Sequence, residues 1–350
     1  MRVLIIKLSS IGDVAHTLPA AAALRRALPD ARIAWAVERR AAAILKDSPV
    51  IDDLMELDLR ARRKRLLSRA TLADLRARLG QVKGVDVAID FQGLMKSGLV
   101  AYASGAARRI GFETAELRER ASRVFLTEQV TTSDRRHVIE KNLALVRAVT
   151  GEDCSAQGGY EFPIAVSSED EQYIADATGQ YGPRFAILNP GGGWATKLWP
   201  AERFGQIADW LWEERGLVSF ITYGPGEEAL AQAVAAGAFS GKALPLATTL
   251  KQFVALARRA ALFVGGDTGP LHLAAAAGTP IVGIYGPTAP ERNGPFDRRD
   301  ITVGRDLWCR PQCHRRSCWH WECMDISVEQ VRQAIALRLE NAEVWTGQTR

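Results

Sequence analysis

Three stretches of this chain bring glycines, hydroxyls, carboxylates and cations together at spacings suited to an anionic, hydroxyl-rich ligand. The longest is "GGDTGPLHLAAAAGTPIVGIYGPT", Gly265–Thr288. Two glycines follow an apolar run, then Asp267, Thr268, Gly269 and Pro270, then a helical pattern with His272 in its first turn. Glycines let a ligand approach the backbone, and the free N–H groups and dipole of a helix start attract phosphate. Thr268 and His272 add donors to the same anion, and Asp267 is placed to accept from sugar hydroxyls. A capped helix alone explains the Asp and Thr but not the glycines, His272 and Gly-Pro together.

The second stretch is "NPGGGWATKLWP", Asn189–Pro200. It fits neither G-x-G-x-x-G nor the P-loop pattern, because Lys197 follows Thr196 instead of Gly. Thr196 and Lys197 at a strand end still suit a diphosphate, with Lys197 as a point charge against a leaving group. A plain glycine loop accounts for the three glycines equally well. In the third, "YGPGEEALA", Tyr223–Ala231, Glu227 suits ribose hydroxyls, although Glu227 and Glu228 also fit an ordinary first helical turn.

The N-terminus raises a different question. "VLIIKLSSIGDVAHTLPAAAALRRALP", Val3–Pro29, runs from strand to helix through a turn with a single glycine, Gly12, and a carboxylate, Asp13. Asp at a helix start is a common cap. It repels phosphate, so this turn is not a phosphate cradle.

These stretches need elements to hold them. Strand-like runs at Val3–Leu8, Arg32–Val37, Leu54–Leu57, Val85–Asp90 and Arg109–Gly111 alternate with helical patterns at Val14–Leu28, Thr71–Gln81, Lys96–Ala103 and near His137–Val149. A polar, glycine-containing stretch from Thr150 to Asp170 reads as a linker. The alternation then resumes and ends in an amphipathic helix, Val328–Glu343. Strand–helix alternation twice over predicts an α/β protein of two doubly wound parallel-sheet domains, with ligands at the carboxyl ends of strands and in the cleft between the sheets.

The 350 residues are 47% hydrophobic and 24% charged, a globular balance. No apolar stretch is long enough to cross a bilayer, and no signal peptide is expected, so cytoplasm is the expected location. Residues 1–150 carry 27 Lys and Arg against 17 Asp and Glu, and the remainder carry 18 against 23. The basic half suggests an anionic partner, and its densest run is "RARRKRLLSR", Arg60–Arg69. A solvated loop is the alternative for such a run. Four cysteines, Cys309, Cys313, Cys318 and Cys323, stand within fifteen residues with His314 and His320. Their C-x3-C-x4-C-x4-C spacing lacks paired knuckles, so a structural metal, reduced thiols and disulfides all remain open.

"VLIIKLSSIGDVAHTLPA", "WAVE", "FQGLMKSGL" and the Gly265–Thr288 run together resemble the lipopolysaccharide heptosyltransferases of glycosyltransferase family 9. The resemblance extends to about "MDISVEQV", and the first motifs are most similar to heptosyltransferase I. It implies a GT-B fold with two Rossmann-like domains facing a central cleft: 1–165 binding acceptor, 166–326 binding nucleotide sugar, and 327–350 a helix packing back on the N-terminal domain. It implies an inverting transfer of L-glycero-D-manno-heptose from ADP-heptose to a Kdo-lipid A acceptor, without cofactor or metal. The place of work is the inner face of the inner membrane, as a peripheral protein and with no nucleic-acid partner.

The resemblance gives Asp13 the role of base, because the donor phosphates lie on the other domain. Gly12 leaves room for the acceptor, and Lys7 either holds an acceptor carboxylate or sets the charge of Asp13. Thr196, Lys197, Glu227, Asp267, Thr268, Gly269 and His272 fall to the donor. Arg60, Arg63 and Lys64 fall to the acceptor's carboxylates and phosphates, with Lys96, Arg118 and Arg120 next to be considered. The "PGGGWATK" loop departs from the heptosyltransferase I pattern, so only Thr196 and Lys197 carry over from it, and the four-cysteine segment is more like other branches. Competing readings are another family 9 transferase with a different donor or acceptor, a dinucleotide oxidoreductase, and a non-enzymatic sugar-nucleotide sensor. The oxidoreductase lacks any G-x-G-x-x-G after a strand.

Overall fold

The computed structural model describes residues 1–58, 69–80, 84–133, 137–153, 159–309, 313 and 315–348. The chain divides into two compact units, Met1–Ala165 and Val166–Arg350.

The first unit holds a six-stranded sheet. Its strands are β1 (Arg2–Ile6), β2 (Arg32–Glu38), β3 (Asp53–Leu57), β4 (Val87–Asp90), β5 (Arg108–Phe112) and β6 (Glu128–Val130), in the order β3-β2-β1-β4-β5-β6. All pairings are parallel. Helices cover both faces of such a sheet, so its central strands are apolar throughout and do not alternate. Val3 to Ile6 and Ile33 to Val37 are accordingly fully buried.

The predicted helix Val14–Leu28 is two helices, α1 (Ile11–Ala15) and α2 (Leu18–Ala27). Pro19 explains the break: its ring lacks an N–H and would clash with the carbonyl four residues back, yet it is tolerated in a first turn. The remaining helices of this unit are α3 (Arg39–Leu45), α4 (Arg69–Leu79), α5 (Met95–Ala103) and α6 (Val138–Thr150).

The second unit repeats the plan. Helix α7 (Ser168–Thr178) opens it inside the stretch expected to be linker, capped by Ser167 and Asp170. The strands are β7 (Phe185–Asn189), β8 (Val218–Tyr223), β9 (Ala243–Ala247), β10 (Leu262–Gly266), β11 (Ile281–Tyr285) and β12 (Ile301–Gly304). Their order, β12-β11-β10-β7-β8-β9, is again parallel and reproduces the order of the first sheet. Between them run α8 (Ala201–Arg215), α9 (Glu228–Ala236), α10 (Leu250–Arg259), α11 (Gly269–Ala276) and α12 (Pro290–Asn293).

The last helix is α13 (Val328–Gln348). Its Val331, Ile335 and Leu339 are buried in the core of the second unit with Ile207, Leu211 and Ile284. Arg338, 3% exposed, bonds Asp300 at the edge of the same sheet. The apolar side of this helix as far as Leu339 thus covers the core of the second unit.

Candidate active site

In each sheet the chain reverses direction of growth between two neighbouring strands, β1 and β4 in the first and β7 and β10 in the second. Loops at the carboxyl ends of such strands diverge and leave a crevice. The loops of interest leave these four strands and neighbouring β8.

Asp13 lies in α1, just beyond β1. Its Oδ2 accepts from Ser10 N at 2.9 Å and Ser10 Oγ at 2.8 Å, the geometry of a capping box. Its Oδ1 stands 3.9 Å from Lys7 Nζ. Burial pushes the carboxyl up, but the Lys7 charge, the two Ser10 hydrogen bonds and the charge of Arg118 outweigh it and hold the pKa below its ordinary value. Asp13 is therefore ionised at neutral pH while its side chain keeps 27% exposure.

Lys7 is 4% exposed and donates to the Phe91 carbonyl at 2.7 Å. Buried and so tied, it holds its charge beside Asp13, whose pKa it lowers. Gly12 is buried in the first turn of α1.

Sequence reasoning missed the support beneath this turn. Gln92, in the loop after β4, accepts from Leu8 N at 2.7 Å and Ser9 N at 3.2 Å and donates to Ser9 O at 2.6 Å. Asp90 in turn accepts from Gln92 N, Gly93 N and Ser97 Oγ. Burial raises the Asp90 carboxyl above its ordinary pKa despite those bonds. Nothing in "DFQGLMKS" marks Gln92, because its partners Leu8 and Ser9 lie 84 and 83 residues away.

Of the cations assigned to the acceptor, Arg60, Arg63 and Lys64 lie outside the described residues. Lys96 is paired with Glu38 at 2.6 Å. Arg120 and Arg118 are exposed on the loop after β5.

The second unit gathers the donor candidates. Asp267, 5% exposed, follows β10 and accepts from three side chains: Lys197 Nζ at 2.6 Å, His272 Nε2 at 3.1 Å and Asn293 Nδ2 at 2.8 Å. Lys197 also donates to the Asp267 carbonyl at 2.9 Å. Burial raises the Asp267 carboxyl, but the hydrogen bond and charge of His272, then those of Lys197, hold it well below the usual range. Asp267 thus joins Lys197, His272 and Asn293 in one hydrogen-bonded group at the end of β10. Asn293 was not foreseen, because it comes from the short helix α12 and nothing in "APERNG" marks it.

Thr268 is the N-cap of α11 without a side-chain cap bond, and its buried Oγ1 has no partner among the described residues. Gly269 and Pro270 form the first turn beside it. Thr196 is different: it is 3% exposed and gives its hydroxyl proton to the Arg315 carbonyl at 2.8 Å, so it secures the cysteine-rich segment. Glu227 is the N-cap residue of α9, where its Oε2 accepts from Gly224 N at 3.1 Å. Its carboxylate rests against the glycine loop after β7: a Cβ on Gly191 would come within 2.7 Å of both its oxygens. That contact brings the loops after β7 and β8 together and explains one of the three glycines.

The four cysteines are free thiols, each partly exposed. Among the described residues, no group of three or more His, Cys, Asp or Glu is arranged to hold a metal ion. His314 lies outside the described residues. Burial and the neighbouring thiols push the Cys323 pKa up, while N–H groups of Trp321 and His320 draw that of Cys318 down.

Two doubly wound units, one with an ionised carboxylate at its switch point and one with a helix start beside a Lys–Asp–His group, make a glycosyltransferase of the GT-B class. A model of glycosyltransferase family 9 (heptosyltransferase) matches residues 73–320, and the chain belongs to that family. Lipopolysaccharide heptosyltransferase 1 of Pseudomonas aeruginosa is 30% identical over 322 residues, 91% of this chain and 87% of that protein. The protein of the same name from Escherichia coli K12 is 28% identical, covering 86% of this chain and 92% of its own. Among solved structures, E. coli heptosyltransferase WaaC with ADP has 26% identity and a TM-score of 0.73, over 98% of each chain. A family 9 glycosyltransferase from Veillonella parvula shares the fold with a TM-score of 0.80 at 22% identity, over 97% of each chain.

Proposed function

We propose that this enzyme transfers L-glycero-D-manno-heptose from ADP-heptose to a Kdo-lipid A acceptor, with inversion, in lipopolysaccharide inner-core synthesis at the cytoplasmic face of the inner membrane. The observation that carries the reading is Asp13: an ionised, partly exposed carboxylate whose one oxygen is fixed by Ser10 and whose other faces Lys7. An inverting transfer needs one base on the acceptor hydroxyl, opposite the leaving group.

The acceptor oxygen attacks the anomeric carbon and the bond from that carbon to the diphosphate oxygen breaks. Asp13 takes the hydroxyl proton and ADP leaves with the electron pair. Charge growing on the diphosphate is met by the Lys197 ammonium, the Thr268 hydroxyl, the first-turn N–H groups of α11 and His272. Glu227 holds the ribose hydroxyls. Exposed Arg120, with Lys96 and the basic run Arg60, Arg63 and Lys64, meets the acceptor's anionic groups. The WaaC structures with ADP and with ADP-2-deoxy-2-fluoro heptose support the donor, and the relatives' name supports the acceptor class.

Thermal shift tests the donor, since a ligand specific for the folded state raises its stability by mass action. ADP-heptose should raise Tm above what UDP- and GDP-sugars achieve at equal concentration. Equal protection by a UDP-sugar would replace ADP-heptose as donor, and equal protection by a nicotinamide dinucleotide would favour an oxidoreductase.

A further inference from the structure

Of the buried residues of α6, Ile139, Asn142, Leu143, Leu145 and Val146, only Asn142 is polar. It is fully buried. Its Nδ2 donates to the His16 carbonyl at 3.0 Å and to Thr17 Oγ1 at 3.2 Å. Its Oδ1 has no partner among the described residues. A buried amide with an unmet acceptor is destabilising, so the packing of α6 does not account for this residue. What its two donated bonds hold does.

Both bonds fall on the junction of α1 and α2, just beyond Asp13. Thr17 is the N-cap residue of α2 yet makes no side-chain cap bond, the ordinary work of a threonine there. Its hydroxyl turns back and donates to the Asp13 carbonyl at 2.9 Å. With that proton committed, the Thr17 oxygen can only accept, so Asn142 meets it with the same NH2 group that it gives the His16 carbonyl. The His16 ring also packs edge-on against His137, the N-cap residue of α6, with ring centres 5.7 Å apart. A helix as short as the five-residue α1 has little stability of its own. Gln92 supports the loop before it, and α6 holds the end after it.

We propose that Asn142, acting through Thr17, is a positioning residue for Asp13: it fixes the end of α1 so that the carboxylate keeps its place beside Lys7. The catalytic consequence rests on the reading of Asp13 as base, but the positioning does not.

Two variants test it by different routes. N142L removes both donated bonds, and T17V removes the hydroxyl without altering α6. Each should lower kcat about ten- to hundredfold, the scale of a misplacement of about 1 Å, with the KM for ADP-heptose unchanged. T17S keeps the hydroxyl and should restore most of the rate. The effects should not add, so T17V/N142L should be no slower than the slower single variant. V146A truncates a buried neighbour on α6 and should lower Tm while leaving kcat alone.

The second readout needs no substrate. Lys7 and Arg118 are the charges that act on Asp13. Once Asp13 drifts from Lys7, its carboxyl should titrate at higher pH, as followed by carboxyl-carbon NMR with the signal assigned by its loss in D13N. A raised Asp13 pKa in N142L and T17V with slowed transfer supports the proposal. A raised pKa with no transfer even by the wild type upholds the positioning and removes the transferase reading. An Asp13 signal unmoved in both variants overturns the proposal, whatever the rate does, and so does a loss of Tm alone, as in V146A.

Discussion

Lys7 Nζ stands 3.9 Å from Asp13 Oδ1 and donates to the Phe91 carbonyl at 2.7 Å, so the cation that keeps Asp13 ionised is itself anchored to the strand next door. A base in this position must be charged before the acceptor arrives. The pair also fixes a sign. Folding lowers the Asp13 pKa, so the pair contributes stability above the ordinary carboxylate range and loses it as pH falls through the folded value.

Lys7→Met should therefore raise the Asp13 pKa and move the acid limb of the rate profile to higher pH. At neutral pH the rate should fall while affinity for ADP-heptose, proposed to bind on the second unit, is retained. A pH profile of kcat/KM measures this, and an unmoved acid limb would remove Lys7 from the account.

Gln92→Leu leaves Leu8 N and Ser9 N without their acceptor. An orphaned buried N–H costs about 1–3 kcal/mol, and here the displaced backbone carries Asp13. The expected result is a fall in kcat with donor affinity kept. Gln92→Glu retains an acceptor and should restore part of the rate, which a purely structural defect would not show.

Asn293→Ala removes one of three donors on Asp267, and Asp267→Asn removes the charge they share. A hydrogen bond to a charged group is worth about 1.5–3 kcal/mol, so N293A should lower kcat/KM for the donor about ten- to hundredfold. D267N should cost more, because Lys197 and His272 both lose their strut. Donor kinetics with saturating acceptor decide it, and a wild-type value for N293A would reduce that contact to packing.

The Asp300–Arg338 pair ties α13 to the second sheet with both side chains almost fully buried, 3% and 4% exposed. Arg338→Met strands a buried carboxylate, a change that typically costs about 3–5 kcal/mol. Burial already raises the Asp300 pKa to about 6, although Ile281 N and Arg338 oppose it. A raised carboxyl pKa gives stability that is full below the unfolded value and lost as pH rises through the folded one. The destabilisation in R338M should thus grow from pH 5 to pH 8, as read by denaturant melts. A loss independent of pH would show that packing, not charge, dominates.

How much of this was legible follows from what each residue answers to. Runs such as "VLII" and "FAILN" name buried parallel strands, because only a sheet covered on both faces asks for them. The edge strands β6 and β12 escaped, being only three and four residues long. The split at Pro19 was readable from proline's own chemistry. Asp13, Lys197, Thr268 and His272 were visible since they lie beside strand ends with turn residues around them. Gln92 and Asn293 were not, because their partners are 83 and 26 residues away and only the folded sheets bring them together. The partners of Asp267 and Thr196 were hidden for the same reason: a sequence shows a side chain's type, while the fold decides what it bonds.

The central claim is that Asp13 is the base of heptosyl transfer, and Asp13→Asn tests it most directly. Single-turnover transfer from ADP-heptose should fall about a hundredfold to ten-thousandfold, the usual loss for a positioned base. Calorimetric affinity for ADP-heptose should stay close to wild type, because the groups proposed to bind the donor lie on the second unit. Wild-type turnover in D13N, with the donor bound normally, would contradict the account.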